Sequence, residues 1–274
     1  MASTGPGRAA AVLGRPVTHS LSPVLHRAAY TALGLDWSYE AVDCDETGLR
    51  AVLASRPDWA GLSCTMPLKR AALAVADEVA PGAATVGAAN TLLPLAGSRW
   101  RAENTDVAGV VGAVREHRVT PLSATVLGAG GTAQAAVVAL AALGLDSCSV
   151  LVRDPDRVAD LAVTAQRAGV AIRVAALNPG ADALGADLVI CALPPGAGDP
   201  LADAVWHPGQ AVLEVVYDPW PTLLAQAAAS AGATVISGSL LLLHQAARQV
   251  ELMTGRPAPV EAMRAALRSV VPGS

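Results

Sequence analysis

The chain has 274 residues, of which 53% are hydrophobic, no phenylalanine, and a formal net charge of −4. That length suits one large or two ordinary domains with a substantial core, and the missing Phe and abundant Ala imply a core of small aliphatic side chains. The acidic balance without any Lys/Arg run argues against a nucleic-acid partner, and no stretch approaches the roughly 20 strongly apolar residues of a membrane span.

Taken in order, the pattern predicts a strand over 10–14 and a helix over 22–34, with Ser22 as its cap, Pro23 at its first position and Gly34 at its end. A strand follows over 37–44, a helix over 47–55, a strand over 61–65 and a helix over 67–76 opened by Pro67. Strands 90–95 and 99–103 form a hairpin around Ala96-Gly97-Ser98. From Val107 a helix runs to about 117. Then come strand 124–127, helix 132–143, strand 149–153, helix 156–168, strand 171–174, and strands 188–191, 212–216 and 234–236. This βαβ alternation predicts an α/β fold whose second part is a Rossmann-like parallel sheet. Helices 239–254 and 260–270 close the chain.

Ala9-Ala10-Ala11-Val12-Leu13 is too short for the apolar region of a secretory signal, so a cytoplasmic protein is expected. The four cysteines (Cys44, Cys64, Cys148, Cys191) have no CxxC spacing and read as reduced, mostly buried thiols. The five histidines form no HxxxH pair, and no metal site is expected.

Gly128-Ala129-Gly130-Gly131-Thr132-Ala133 follows a strand and opens a helix, the GxGxxG pattern with Ala at its last position. Gly128 permits the tight turn and Gly130 lets backbone approach a pyrophosphate, which free N–H groups at the helix start favour. After the next strand come Arg153-Asp154-Pro155-Asp156-Arg157. Arg153, joined by Arg157, suits a 2′-phosphate and favours NADP. Asp154 would repel it and leaves NAD as the alternative, unless it caps the following turn.

Two ionisable groups sit where predicted strands end, the place where open α/β sheets bind ligands. Lys69 follows Ser63-Cys64-Thr65-Met66-Pro67-Leu68, and Asp106 closes Glu103-Asn104-Thr105-Asp106. Each alone reads as an ordinary surface or capping residue. Beside a nicotinamide, however, a lysine and a carboxylate supply the proton that must move when an alcohol and a ketone are interconverted.

These residues resemble the shikimate dehydrogenase family over nearly the whole chain. His19-Ser20-Leu21-Ser22-Pro23 is similar to its substrate loop, and the resemblance implies that Ser20 and Ser22 bind the substrate carboxylate. Thr65 and Lys69 match its Asn-Val-Thr-x-Pro-x-Lys motif, though Ser63 and Cys64 replace the usual Asn-Val. Gly87-Ala88-Ala89-Asn90-Thr91 matches a motif whose asparagine binds ring hydroxyls, and Asn104-Thr105-Asp106 one whose aspartate pairs with the catalytic lysine. Tyr217, in Val216-Tyr217-Asp218-Pro219, and Gln245, in Leu243-His244-Gln245, match residues reaching the substrate. Gly238 opens Gly238-Ser239-Leu240-Leu241, where Gly-x-Gly-Met is commoner.

The resemblance implies a substrate domain over 1–107, an NADP-binding domain over 108–238 and C-terminal helices over 239–274 returning to the substrate domain. It implies NADPH-dependent reduction of 3-dehydroshikimate to shikimate, with Lys69 and Asp106 catalytic. Ser20, Ser22, Thr65, Asn90, Tyr217 and Gln245 would bind substrate. Gly128, Ala129, Gly130, Gly131, Thr132, Arg153, Arg157 and Gly238 would bind the cofactor. Partners are then small molecules only, with no nucleic acid or membrane, for a monomer or homodimer. The alternatives are an NAD-dependent quinate or aminoshikimate-type dehydrogenase and a non-catalytic sensor of the same ligands.

Overall fold

The computed structural model describes residues 7–178 and 180–271, with the Arg157 side chain outside the described part. The chain divides into two compact units, Met1–Thr105 with Leu242–Ser274, and Asp106–Leu241.

In the first unit the chain runs β1 (Ala9–Gly14), α1 (Ser22–Ala32), β2 (Ser38–Asp43), α2 (Leu49–Ala54), β3 (Trp59–Cys64), α3 (Lys69–Val75), β4 (Glu78–Val79), α4 (Pro81–Val86), β5 (Thr91–Leu95) and β6 (Arg99–Glu103). The strands form one mixed sheet in the order β2-β1-β3-β5-β6-β4. Strand β1 pairs in parallel with β2 and β3, and β5 runs antiparallel to β3 and β6. Because side chains alternate along a strand, Ala9, Ala11, Leu13, Leu62, Cys64 and Leu92 face one apolar core with Leu49, Leu68 and Ala72. The opposite face carries Tyr39, Gly61, Ser63 and Thr91. A Cβ on Gly61 would lie 2.7 Å from Cγ of Met253, so glycine is what lets that side chain settle on β3.

The second unit runs α5 (Asp106–Glu116), β7 (Ala124–Leu127), α6 (Gly131–Ala142), β8 (Ser147–Val152), α7 (Ala159–Ala168), β9 (Ala171–Ala176), β10 (Leu188–Cys191), β11 (Ala211–Glu214), α8 (Leu223–Ser230) and β12 (Thr234–Ser237). Helix α9 (Gly238–Thr254) carries the chain back to the first unit, where α10 (Val260–Arg268) follows. All six strands are parallel, in the order β12-β11-β10-β7-β8-β9. This is the Rossmann-like order, with its direction reversing between β7 and β10, where such sheets open a crevice for ligands. Val126, Val150, Ile190 and Leu213 face one core, and Leu127, Leu151, Val189 and Val212 face the other. A parallel sheet covered on both faces needs this continuous apolar run.

Several expected boundaries are corrected. Ser22 is not a cap. It is the first residue of α1, Leu21 holds the cap position without a side-chain bond, and Ser20 Oγ instead accepts the Ser22 N–H at 3.3 Å. Pro67 does not open α3, because the Leu68 N–H closes a turn onto the Thr65 carbonyl at 2.7 Å and the helix begins at Lys69. Asp106 is not a cap before a helix at Val107 but itself the first residue of α5. Helix α7 begins at Ala159, after a 3-10 turn over Pro155–Arg157 capped by Asp154, whose Oδ1 accepts the Asp156 N–H at 3.1 Å. Helices α4 and α8 and the two-residue strand β4 were not expected. Alanine dominates α8, which leaves no periodicity to read, and α4 is a single short run opened by Pro81 and Gly82.

Candidate active site

In the first unit the ends of β1, β3 and β6 bring polar groups together. The Thr65 N–H bonds the Leu13 carbonyl at 2.9 Å, which holds Thr65 at the end of β3. Four residues on, Lys69 is half-buried at the first position of α3, and its carbonyl accepts the Ala89 N–H at 2.8 Å. That bond ties the lysine's backbone to the residue preceding Asn90.

Asn90 is buried and central. Its Nδ2 donates to Thr105 Oγ1 at 2.9 Å and lies 3.4 Å from Gln245 Oε1. Its Oδ1 accepts the Thr105 N–H at 2.8 Å and the Thr91 hydroxyl at 2.9 Å. Gln245 Nε2 donates to the Leu242 carbonyl at 3.0 Å, which orients that carboxamide along α9. Asn90 and Gln245 thus meet from positions 155 residues apart. Asn104 Nδ2 donates to the Ala88 carbonyl at 2.9 Å and braces the same turn. Asp106 follows Thr105 directly and is buried at the start of α5, where a helix N-terminus favours a carboxylate.

Ser22 is buried and Ser20 half-buried, both at the entry to α1. Among the described residues no buried side-chain N or O atom lacks a hydrogen-bond partner, as expected where polar groups leave water.

In the second unit the turn between β7 and α6 is built on glycine. Gly128 has φ +102°, and a Cβ there would lie 3.0 Å from the Ala192 carbonyl oxygen at the end of β10, so only glycine fits. Gly130 holds the cap position of α6 without a side-chain bond, and a Cβ on it would meet nothing within 4 Å. Gly131 and Thr132 open α6, and the first amides of a helix have no intrahelical acceptor, an arrangement suited to an anionic group.

Arg153 is exposed immediately after β8. Asp154 spends its carboxylate on the turn, and the Arg157 side chain lies outside the described residues.

Tyr217 lies in the loop after β11, where burial and then the Asp218 carboxylate push its phenol pKa upward. One carboxylate clasps this loop at both ends: Glu214 Oε1 accepts the Val216 N–H at 3.1 Å and Oε2 the Thr222 hydroxyl at 3.2 Å. Burial raises the Glu214 pKa, against the pull of those bonds. Gly238 has a structural reason to be glycine, since a Cβ would clash with the Val215 carbonyl oxygen.

Sequence reasoning missed Thr105, Thr91 and Gln249 as hydrogen-bond partners of Asn90, and Glu214 as the clasp of the Tyr217 loop. Gln249 had one readable signal: it lies four residues after Gln245, on the same helical face.

Residues 12–92 match the family described as the shikimate dehydrogenase substrate binding domain, and residues 241–268 match the shikimate 5′-dehydrogenase C-terminal domain. The chain is 42% identical over 269 residues to shikimate dehydrogenase (NADP(+)) of Halobacterium salinarum, covering 94% of this chain and 97% of that protein. Its structure is similar to the crystal structure of Mycobacterium tuberculosis shikimate dehydrogenase, at 46% identity and a TM-score of 0.86, covering 96% and 100% of the two chains. It is also similar to the Thermus thermophilus shikimate 5-dehydrogenase in complex with NADP(H) and shikimate, at 35% identity and a TM-score of 0.82, covering 96% and 99%.

Proposed function

The chain belongs to the shikimate dehydrogenase family, and we propose on that premise that it interconverts 3-dehydroshikimate and shikimate with NADP(H), using Lys69 and Asp106 as the acid–base pair. The first unit carries Lys69 and all the substrate residues but Tyr217, and the second carries the cofactor residues with Asp106 and Tyr217. Ser20 and Ser22 hold the substrate carboxylate through neutral hydrogen bonds. Thr65, Asn90 and Gln245 surround the ring hydroxyls, and Tyr217 completes the contact set.

Bound NADP(H) supplies or takes up the hydride. In the reducing direction Lys69, as an ammonium, donates a proton to the ketone oxygen as negative charge develops there, and the neutral amine is reprotonated from solvent. In the oxidising direction the neutral amine takes the hydroxyl proton. Asp106 is the carboxylate that holds and orients the lysine head group.

The turn from Gly128 through Thr132 would receive the pyrophosphate, with Gly238 close to the cofactor. Arg153, with Arg157, would receive the 2′-phosphate. The use of Asp154 as a turn cap supports this, because its carboxylate is already engaged. The four cysteines are unbridged and buried, which supports a reducing cytoplasm.

The observation that carries this reading is the meeting of two buried carboxamides, Asn90 and Gln245, at the end of the mixed sheet. Such a pair recognises a polyhydroxylated ligand. The test is a panel of shikimate and quinate, each with NADP+ and NAD+, followed by cofactor reduction. Shikimate with NADP+ is expected to exceed each other combination in kcat/KM by roughly tenfold or more. A preference for quinate with NAD+ would select the other dehydrogenase, and binding without reduction would select the sensor.

A further inference from the structure

Behind Asn90, on the face of the mixed sheet away from the apolar core, lies a second buried polar group with no part in the mechanism above. At its centre is Gln249, 1% exposed. Its carboxamide uses both ends. Nε2 donates to the Asn90 backbone carbonyl at 3.2 Å and to Thr91 Oγ1 at 2.9 Å. Oε1 accepts the Ser63 hydroxyl at 3.0 Å and faces His26 Nε2 at 3.2 Å.

The directions of these bonds follow from backbone groups, whose carbonyls only accept and whose N–H groups only donate. Gln249 must turn Nε2 toward the Asn90 carbonyl, so Oε1 faces Ser63 and His26, and His26 carries its proton on Nε2. His26 Nδ1 then accepts from the Tyr30 hydroxyl at 3.2 Å. Tyr39 donates to Ser63 Oγ at 2.7 Å, which leaves the Ser63 proton for Gln249. Thr91 Oγ1 accepts from Gln249 and so gives its own proton to Asn90 Oδ1 at 2.9 Å. Asn90 Oδ1 thus accepts from two donors, the Thr91 hydroxyl and the Thr105 N–H at 2.8 Å, which leaves Nδ2 toward Thr105 Oγ1 and Gln245. His26, stacked on Tyr39 with ring centroids 4.0 Å apart, is neutral, its pKa lowered to about 4 by burial.

We infer that Gln249 is a positioning residue for substrate recognition: by bonding the Asn90 carbonyl and fixing the direction of the Thr91 hydroxyl, it secures one of the two donors that hold the Asn90 carboxamide in place for the ring hydroxyls. This rests on the reading that Asn90 binds those hydroxyls. Without Gln249 the Thr91 proton can turn away, and the Asn90 carboxamide is then held on its Oδ1 side by the Thr105 N–H alone. A carboxamide held from one side only is less well aligned with the ligand, and a misaligned hydrogen bond weakens recognition of a hydroxyl.

The experiment compares Gln249→Met, Thr91→Val and Thr91→Ser by steady-state kinetics, with Asn90→Ala beside them. Gln249→Met and Thr91→Val are each expected to raise the shikimate KM about tenfold, equivalent to one lost directional hydrogen bond. Both should leave kcat and the NADP+ KM within about twofold, which a general loosening of the fold would not do. Thr91→Ser keeps the hydroxyl and returns the KM toward wild type. The double variant Gln249→Met/Thr91→Val should be no worse than the poorer single variant, because both break one chain of bonds.

If Gln249→Met fails to fold, the contrast between Thr91→Val and Thr91→Ser decides. An unchanged shikimate KM in Gln249→Met, or in Thr91→Val, overturns the inference when Asn90→Ala still raises it. An unchanged KM in Asn90→Ala overturns instead the role given to Asn90 itself.

Discussion

The parallel sheet of the second unit and the mixed sheet of the first bury their two faces in opposite ways. In the parallel sheet each strand sends aliphatic side chains to both faces, as Val126 and Leu127 do. In the mixed sheet one face is equally apolar, but the other buries Tyr39, Ser63 and Thr91 against His26 and Gln249. An apolar face is tolerant, since side chains of about the right size fill it. A buried polar face must be satisfied bond by bond, and in return it holds each group in one orientation. On the proposed function, the second unit would meet the cofactor mostly with backbone, and the first would meet the substrate mostly with side chains.

The largest effect that would sharpen this contrast is pH dependence from His26. Burial lowers its pKa from 6.5 to about 4 in the folded state, against a smaller upward pull from Gln249. Between those values the unfolded chain binds more protons than the folded one. Stability from this group is therefore complete above about pH 6.5 and is lost as pH falls toward 4, by about 3 kcal/mol. Denaturant unfolding at several pH values should show that slope, and His26→Gln should flatten it. An unchanged slope in the variant would remove His26 as its source.

A smaller effect is expected from Gly128→Ala, which probes the backbone-built side. A side chain at φ +102° and 3.0 Å from the Ala192 carbonyl oxygen should cost about 1–2 kcal/mol. It should raise the NADP+ KM and leave the shikimate KM unchanged, and a change confined to shikimate would contradict the division of roles.

Smallest is Thr222→Ala. It removes the cap that accepts the Ala225 N–H at 3.1 Å and one of the two bonds to Glu214. Stability should fall by about 1 kcal/mol, read from the thermal midpoint, and no change would mean that the clasp around the Tyr217 loop is not strained by its loss.

The parallel sheet was legible because its strands are short apolar runs between helices, and because Gly128 and Gly130 mark the turn that opens α6. The mixed sheet was legible as strands, and the Asn90 and Gln245 positions through resemblance to a family. The helix starts were read less well. A serine and a proline at 22 and 23 look like a cap and first turn, but the Ser20 hydroxyl reaches the Ser22 amide and moves the boundary. The polar face stayed hidden because its members come from distant places. His26 and Gln249 lie 223 residues apart, and neither is unusual until the fold brings them within 3.2 Å.

The acid–base role of Lys69 is tested most directly by the turnover of Lys69→Ala in NADP+-dependent shikimate oxidation, with shikimate affinity measured by calorimetry on the same protein. A proton-transfer role predicts that kcat falls by about 10²–10⁴-fold while the dissociation constant stays within about threefold. Retention of wild-type kcat in the folded variant would contradict it.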